Sequence, residues 1–238
     1  MQQWFALDRP DRFVYYLGAL GAVGLAACGV KVATLAPADL PPLTLTQVEE
    51  LVALFVPTEK LRYDLRWTYR TQQGTTRGRA AVHFVPPDSV RFDYRAPFGR
   101  SGAAVIVGDD IVWSRPEEDV ERLIQVAPVF WAALGIPRDA LAGAVLTGRV
   151  EGDLHQWRYA LAGDTLTYAV QRHPGGTFAA DLRQSSDVIA TVSVAYADST
   201  LQPVTAQMVF PGSASTVIFS VQAIDTLTTV DESMWREP

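Results

Sequence analysis

Leu61, Tyr63, Leu65, Trp67 and Tyr69 alternate without a break with Arg62, Asp64, Arg66, Thr68 and Arg70. Successive side chains of a strand point to opposite faces, so this stretch has one aromatic, apolar face and one charged face. A helix would scatter the same residues around its circumference. The period of two recurs in Ala80, Val82 and Phe84, and again in Val90, Phe92 and Tyr94 set against Arg91, Asp93 and Arg95. Gly74, Pro86, Pro87 and Asp88 provide the turns. Residues 103–107 and 111–113 flank Gly108, Asp109 and Asp110, a hairpin signal.

Strands resume at 155–161 and continue at 166–170, 177–182, 188–196, 204–210 and 217–224. Alternation places Trp157 with Tyr159, Leu166 with Tyr168, Phe178 with Leu182, Val204 with Met208 and Phe210, and Val217 with Phe219 and Val221. The expected fold is mainly β, an α+β chain with about eleven antiparallel strands. A sheet that wide curls, so a strongly curved half-barrel is predicted, with helices covering its concave face. Those helices come from two places. Thr46 and Glu49 have the spacing of a capping box, and Val48, Leu51, Val52 and Phe55 form an apolar stripe ahead of Pro57, which predicts a helix over 47–55. Residues 116–148 carry two further helical stretches, 129–134 and 138–145, whose Phe130, Trp131, Leu134, Leu141, Val145 and Leu146 need an apolar surface to cover.

The N-terminus has the layout of an export signal. Arg9 and Arg12 precede fifteen uncharged residues, 13–27, which include Gly18, Gly21 and Gly24. A permanent span needs about 20 apolar residues, so a processed segment fits better. Leu25, Ala26, Ala27 and Cys28 resemble a bacterial lipobox, and Cys28 is the only cysteine of the sequence. A thiolate placed there can accept a lipid group. Resemblance to bacterial lipoproteins implies three acyl chains on Cys28, and Gly29 in place of an Asp retention signal implies the outer membrane. The expected division is a signal peptide at 1–27, a lipidated tether with Pro37, Pro41 and Pro42 at 28–44, one domain at 45–230 and a tail at 231–238. Removing the signal leaves 211 residues, enough for one sizeable core. The net charge of −6 and the lack of a basic run argue against nucleic acid and against electrostatic binding to anionic lipid, which leaves membrane attachment to the N-terminal lipid.

Lipobox, tether, helix, strand meander, a loop of Pro97, Phe98 and Gly99, a helical insertion bearing Leu134, Gly135, Ile136 and Pro137, and more strands follow one another in an order that resembles the outer-membrane lipoprotein receptor LolB and its LolA/LolB-like relatives. The likeness covers roughly residues 45–227. It implies a half-open barrel around a hydrophobic cavity that accepts the acyl chains of lipoproteins from a soluble periplasmic carrier and releases them into the outer membrane. A monomer with no cofactor is expected. Acyl chains offer area and almost no hydrogen bonds, so such a cavity is apolar with few polar anchors. The candidate lining is Leu65, Trp67, Tyr69, Phe84, Phe92, Tyr94, Trp113, Trp131, Leu134, Trp157, Tyr168 and Phe219. Residues of this kind on the inner face of a curved sheet also fill ordinary cores. In the family the loop matching Pro97, Phe98 and Gly99 presents an exposed apolar residue to the bilayer; a Phe98 folded back onto the sheet is the alternative.

Catalysis finds little in the sequence. There is no G-x-S-x-G and no H-E-x-x-H, and His83, His155 and His173 lie far apart. Glu117, Glu118, Asp119 and Glu121 read as a solvated acidic face. Two non-enzymatic readings remain: a lipoprotein acceptor, or a lipid-anchored sensor, scaffold or carrier for another amphiphile. An exposed Phe98 beside an open cavity favours the first, and a side-chain-filled interior favours the second.

Overall fold

The computed structural model describes residues 40–237; the export signal, Cys28 and most of the expected tether lie outside them. Two meanders build one antiparallel sheet. The first runs through β1 (Leu61–Thr71), β2 (Gly74–Val85), β3 (Ser89–Arg95), β4 (Ser101–Val107) and β5 (Asp110–Arg115). The second runs through β6 (Val145–Glu151), β7 (Leu154–Leu161), β8 (Asp164–Gln171), β9 (Thr177–Gln184), β10 (Asp187–Tyr196), β11 (Pro203–Phe210) and β12 (Ser215–Thr226). The order across the sheet is β5-β4-β3-β2-β1-β12-β11-β10-β9-β8-β7-β6, so the first strand pairs with the last and the meanders fuse at the centre. β5 and β6 are the two edges and do not pair, which leaves a half-barrel.

Twelve strands stand where eleven are expected, and β6 is the addition. Residues 138–144 form a loop instead of the predicted second helix, with Gly143 at φ +86°, a left-handed position that interrupts a helix. As an edge strand β6 carries little alternation, and Val145 is exposed. Its free side is partly covered by the segment ahead of the first helix: Leu43 N–H donates to the Leu146 carbonyl (3.0 Å) and Gly148 N–H to the Pro41 carbonyl (2.8 Å). The last residues of the expected tether therefore belong to the sheet.

Three helices lie against the sheet: α1 (Leu45–Ala53), α2 (Glu117–Leu123) and α3 (Ala127–Ala133). The cap of α1 is Thr44, paired reciprocally with Gln47, two residues earlier than the Thr46 and Glu49 spacing suggests. Val48, Leu51 and Val52 still form its buried stripe. The acidic residues 117–121 sit in a short helix, α2, with Glu117, Glu118 and Asp119 in its first turn, where carboxylates oppose the helix dipole. Every residue of α3 is buried.

Candidate functional site

The concave face is assembled in rows across the strands. One row joins Trp157, Tyr168, Ala180, Val192, Met208, Val217 and Tyr69. Another joins Phe178, Val194, Ala206, Phe219 and Trp67. Leu65, Trp67, Phe84, Phe92, Tyr94, Trp131, Leu134, Trp157, Tyr168 and Phe219 are buried in this interior, and Tyr69 is half-buried. They pack on one another. Phe130 of α3 meets Phe92 edge-on at 5.5 Å and Phe219 at 6.1 Å, and Trp131 meets Phe84 at 6.1 Å. Phe55, just beyond α1, stacks on Trp157 at 6.0 Å. Side chains thus fill the space between sheet and helices.

Trp113 is placed on the other face. Ile106 pairs with Ile111 but Val105 pairs with Trp113, so Val112 is an extra residue in β5 and the alternation slips by one. The Trp113 indole N–H donates to the Trp235 carbonyl (3.0 Å) and its ring lies 5.5 Å from the Arg91 guanidinium carbon. Arg91 also donates to the Met234 carbonyl, and Arg115 pairs with Glu237. The C-terminal residues expected as a tail are pinned to the outer face of β3 and β5.

A polar latch spans the open side of the half-barrel at one end. Arg138, 9% exposed, donates through Nε to Asp109 Oδ1 in the β4–β5 turn (3.0 Å). Its backbone N–H donates to the Tyr168 hydroxyl (3.1 Å), and its carbonyl accepts from the Tyr159 hydroxyl (3.0 Å). Trp131 lies beneath its guanidinium (5.1 Å) and donates to the Gly108 carbonyl (2.7 Å). Burial raises the Asp109 carboxyl above its ordinary range, against the pull of Arg138. The latch ties β4–β5 to β7–β8, strands near opposite edges of the sheet.

The apolar interior reaches the surface at a pocket of about 370 Å³ bordered by Phe55, Tyr63, Leu134, Ile136, Tyr196 and Leu201. That volume is near the lower end of the range for small-molecule sites, about 300–1,000 Å³. Sequence reasoning missed Arg138, Tyr63, Tyr196 and Phe55 as site residues, although Phe55 closes the predicted apolar stripe of α1.

Pro97, Phe98 and Gly99 form a tight turn between β3 and β4, closed by Ala96 N–H donating to the Arg100 carbonyl (2.7 Å). Phe98 stands at its tip with a relative exposure of 102%. Its backbone is left-handed, φ 62° and ψ 28°, where bulky residues are uncommon. Arg100 turns back to Asp119 of α2 through Nε (3.2 Å), and Arg122 joins the same carboxylate at 3.3 Å. The tip is thus apolar at its apex and tied to α2 at its base.

No protein-family model matches this sequence, and no curated protein matches it. Solved structures do share its architecture. A LolA superfamily protein from Nitrosomonas europaea superposes with a TM-score of 0.54 at 12% identity, covering 82% of this chain and 98% of that one. The fold is LolA-like. A proposed outer membrane lipoprotein-sorting protein domain from Vibrio parahaemolyticus gives a TM-score of 0.52 at 10% identity, covering 80% of this chain and 95% of its own. At these identities the fold is what is shared, an open curved sheet with helices against its concave face.

Among the described residues no helix is long and apolar enough to cross a membrane, and no group of three or more His, Cys, Asp and Glu is placed to hold a metal ion. The histidines remain dispersed. His83 lies on the outer face 3.8 Å from Asp93, His155 packs beside Phe55, and His173 is exposed. What this LolA-like arrangement offers is apolar area packed under short helices and one exposed aromatic tip.

Proposed function

We propose that this chain is a lipid-anchored acceptor on the periplasmic side of the bacterial outer membrane, which takes the acyl chains of lipoproteins between its sheet and helices and releases them into the bilayer. Phe98 is the observation that carries this reading. It is fully exposed and held in a left-handed conformation by a closed turn. Such a backbone costs on the order of 1–3 kcal/mol, and no packing within the described chain offsets it. Contact with a membrane interior would.

In this reading, chains enter at the pocket bordered by Phe55, Leu134 and Ile136. Because the pocket holds only part of one chain, α1 and the segment after α3 move outward as the remainder follows. Trp157, Tyr168 and Phe178 under Phe55 then become the lining. Transfer needs no energy source: each step moves the chains to a site that binds them better, and about 1.4 kcal/mol shifts such an equilibrium tenfold. Lipid on Cys28 would keep acceptor and bilayer together, a gain in effective concentration. A soluble periplasmic carrier is the donor this reading implies.

The filled interior favours a second reading, a scaffold, sensor or carrier for another amphiphile that has no need of a standing cavity. Native mass spectrometry with a triacylated peptide separates the two: a one-to-one complex lost on deacylation supports the acceptor, and no acyl-dependent binding supports the alternative. For the acceptor, Phe98→Glu lowers release into liposomes by about tenfold or more while the complex persists. Equal loss of binding and release would defeat that division of roles.

A further inference from the structure

The outer face of the first meander gathers charge that the linear sequence disperses. Arg66 of β1 lies directly opposite Arg79 of β2, and Arg79 lies directly opposite Arg95 of β3, so three guanidinium groups share one cross-strand row. All three are exposed, and among the described residues none makes an ion pair or a side-chain hydrogen bond. Their neighbours differ: Arg62 pairs with Asp64, Arg91 with Asp93 and Arg115 with Glu237. The row borders a cleft of about 1040 Å³ on this face, whose two carboxylates, Asp64 and Asp93, are taken up by Arg62 and Arg91. Like charges directly opposite one another across strands destabilise a sheet. In a chain of net charge −6, three uncompensated arginines in register call for an anion from outside.

We infer that the Arg66, Arg79 and Arg95 row is a docking site for the phosphate groups of an anionic membrane surface. Guanidinium groups meet phosphate oxygens in a two-pronged fit that an ammonium does not reproduce. Continuity with Phe98 argues for lipid as the source of the phosphate. Arg95 ends β3 three residues before Phe98, and Arg77 and Arg100 border, with Phe98, an adjoining hollow of about 480 Å³. A bilayer presents an apolar layer and a phosphate layer side by side, the same pair of surfaces the domain offers here. The orientation rests on Phe98 as the membrane tip; the charge argument stands on the row itself. Net charge and the lack of a basic run conceal such a site, because every second residue of three strands contributes to it.

The test uses the chain from residue 28 onward with Cys28→Ser, so that neither the apolar export segment nor an attached lipid dominates, and compares it with the same chain carrying Arg66→Gln, Arg79→Gln and Arg95→Gln. Binding is measured to vesicles of phosphatidylcholine alone and of phosphatidylcholine with phosphatidylglycerol, at low and high salt. Each arginine near an anionic surface contributes about fivefold, so the triple variant should lose on the order of a hundredfold on the anionic vesicles. It should be unchanged on the neutral ones, and the difference should shrink at high salt. Phe98→Ser, which removes the apolar tip without adding charge, by contrast lowers binding to both vesicle types alike, so failure of the tip and failure of the row give different patterns. The triple variant should also unfold at an equal or higher temperature than its parent. Unchanged binding to anionic vesicles overturns the inference, as does a lower unfolding temperature, which assigns the arginines to the fold. Loss of binding to an acidic protein with vesicle binding intact overturns it in favour of a protein partner.

Discussion

Gly78 is where the concave face is least tolerant of a single added atom. A Cβ built there would lie 2.1 Å from the Arg95 carbonyl oxygen and 2.4 Å from the Trp67 ring, which rests over the glycine and donates its indole N–H to the Arg79 carbonyl (3.1 Å). Gly102 makes the matching slot for Tyr94, at 2.5 Å. Overpacking a formed core costs about 1–3 kcal/mol, and here one of the clashing atoms is backbone and cannot rotate away. Gly78→Ala should therefore lose at least the upper part of that range, read as a lower urea midpoint with an unchanged slope. Period two located Trp67, Phe92 and Phe219 on the inner face because the pairing is regular around each, and Leu65 as well because the irregularity beside it adds its extra residue, Gln222, to β12 and leaves the phase of β1 unchanged. Trp113 escaped the same logic: the unpaired Val112 reverses its phase, and nothing in residues 111–113 marks a bulge.

At the scale of elements, the β3–β4 turn and α2 act as one unit through Asp119. The Arg100 hydrogen bond is the largest influence on that carboxyl and holds it below its ordinary value of 3.8, against desolvation. A lowered folded value means that the tie is complete above pH 3.8 and is lost as pH falls through the folded value. The Arg100 Nε–H resonance should therefore titrate with a midpoint below 3.8, and Asp119→Asn should remove the transition and free the tip at neutral pH. The existence of α1 was legible from its apolar stripe, while its start was displaced by two residues because two Thr-x-x-Glu/Gln spacings overlap, at Thr44 and Thr46. α2 was hidden because its acidic residues suit a solvated loop and a helix first turn equally well. β6 was hidden because an exposed edge strand has no buried face to impose alternation.

Over the whole molecule, an open sheet with non-pairing edges is held near closure by the helices and the Arg138 latch, so the interior is filled but not sealed. Phe55 is the most removable part of that cover, being half-buried and attached beyond the end of a nine-residue helix. Phe55→Ala should lower stability by less than the ~3–5 kcal/mol of a fully buried Phe→Ala. It should also tighten binding of an acylated peptide, each further sequestered methylene contributing about 0.8 kcal/mol, about fourfold in affinity. Quenching of Trp157 fluorescence would follow it. The curved half-barrel was legible because eleven of its strands declare themselves locally. Its central seam was not, since no local signal says that residues 61–71 wait for residues 215–226.

That seam has a consequence for how the protein is made. Until β12 arrives, the inner strand β1 has a bare edge of backbone N–H and C=O groups, with the aromatic residues of the first meander beside it. Pairings so distant along the chain form late, and exposed edges invite association between unfinished molecules. Biogenesis therefore has a vulnerable interval, set by the time needed to deliver the last strand, during which the first meander depends on shielding from its neighbours.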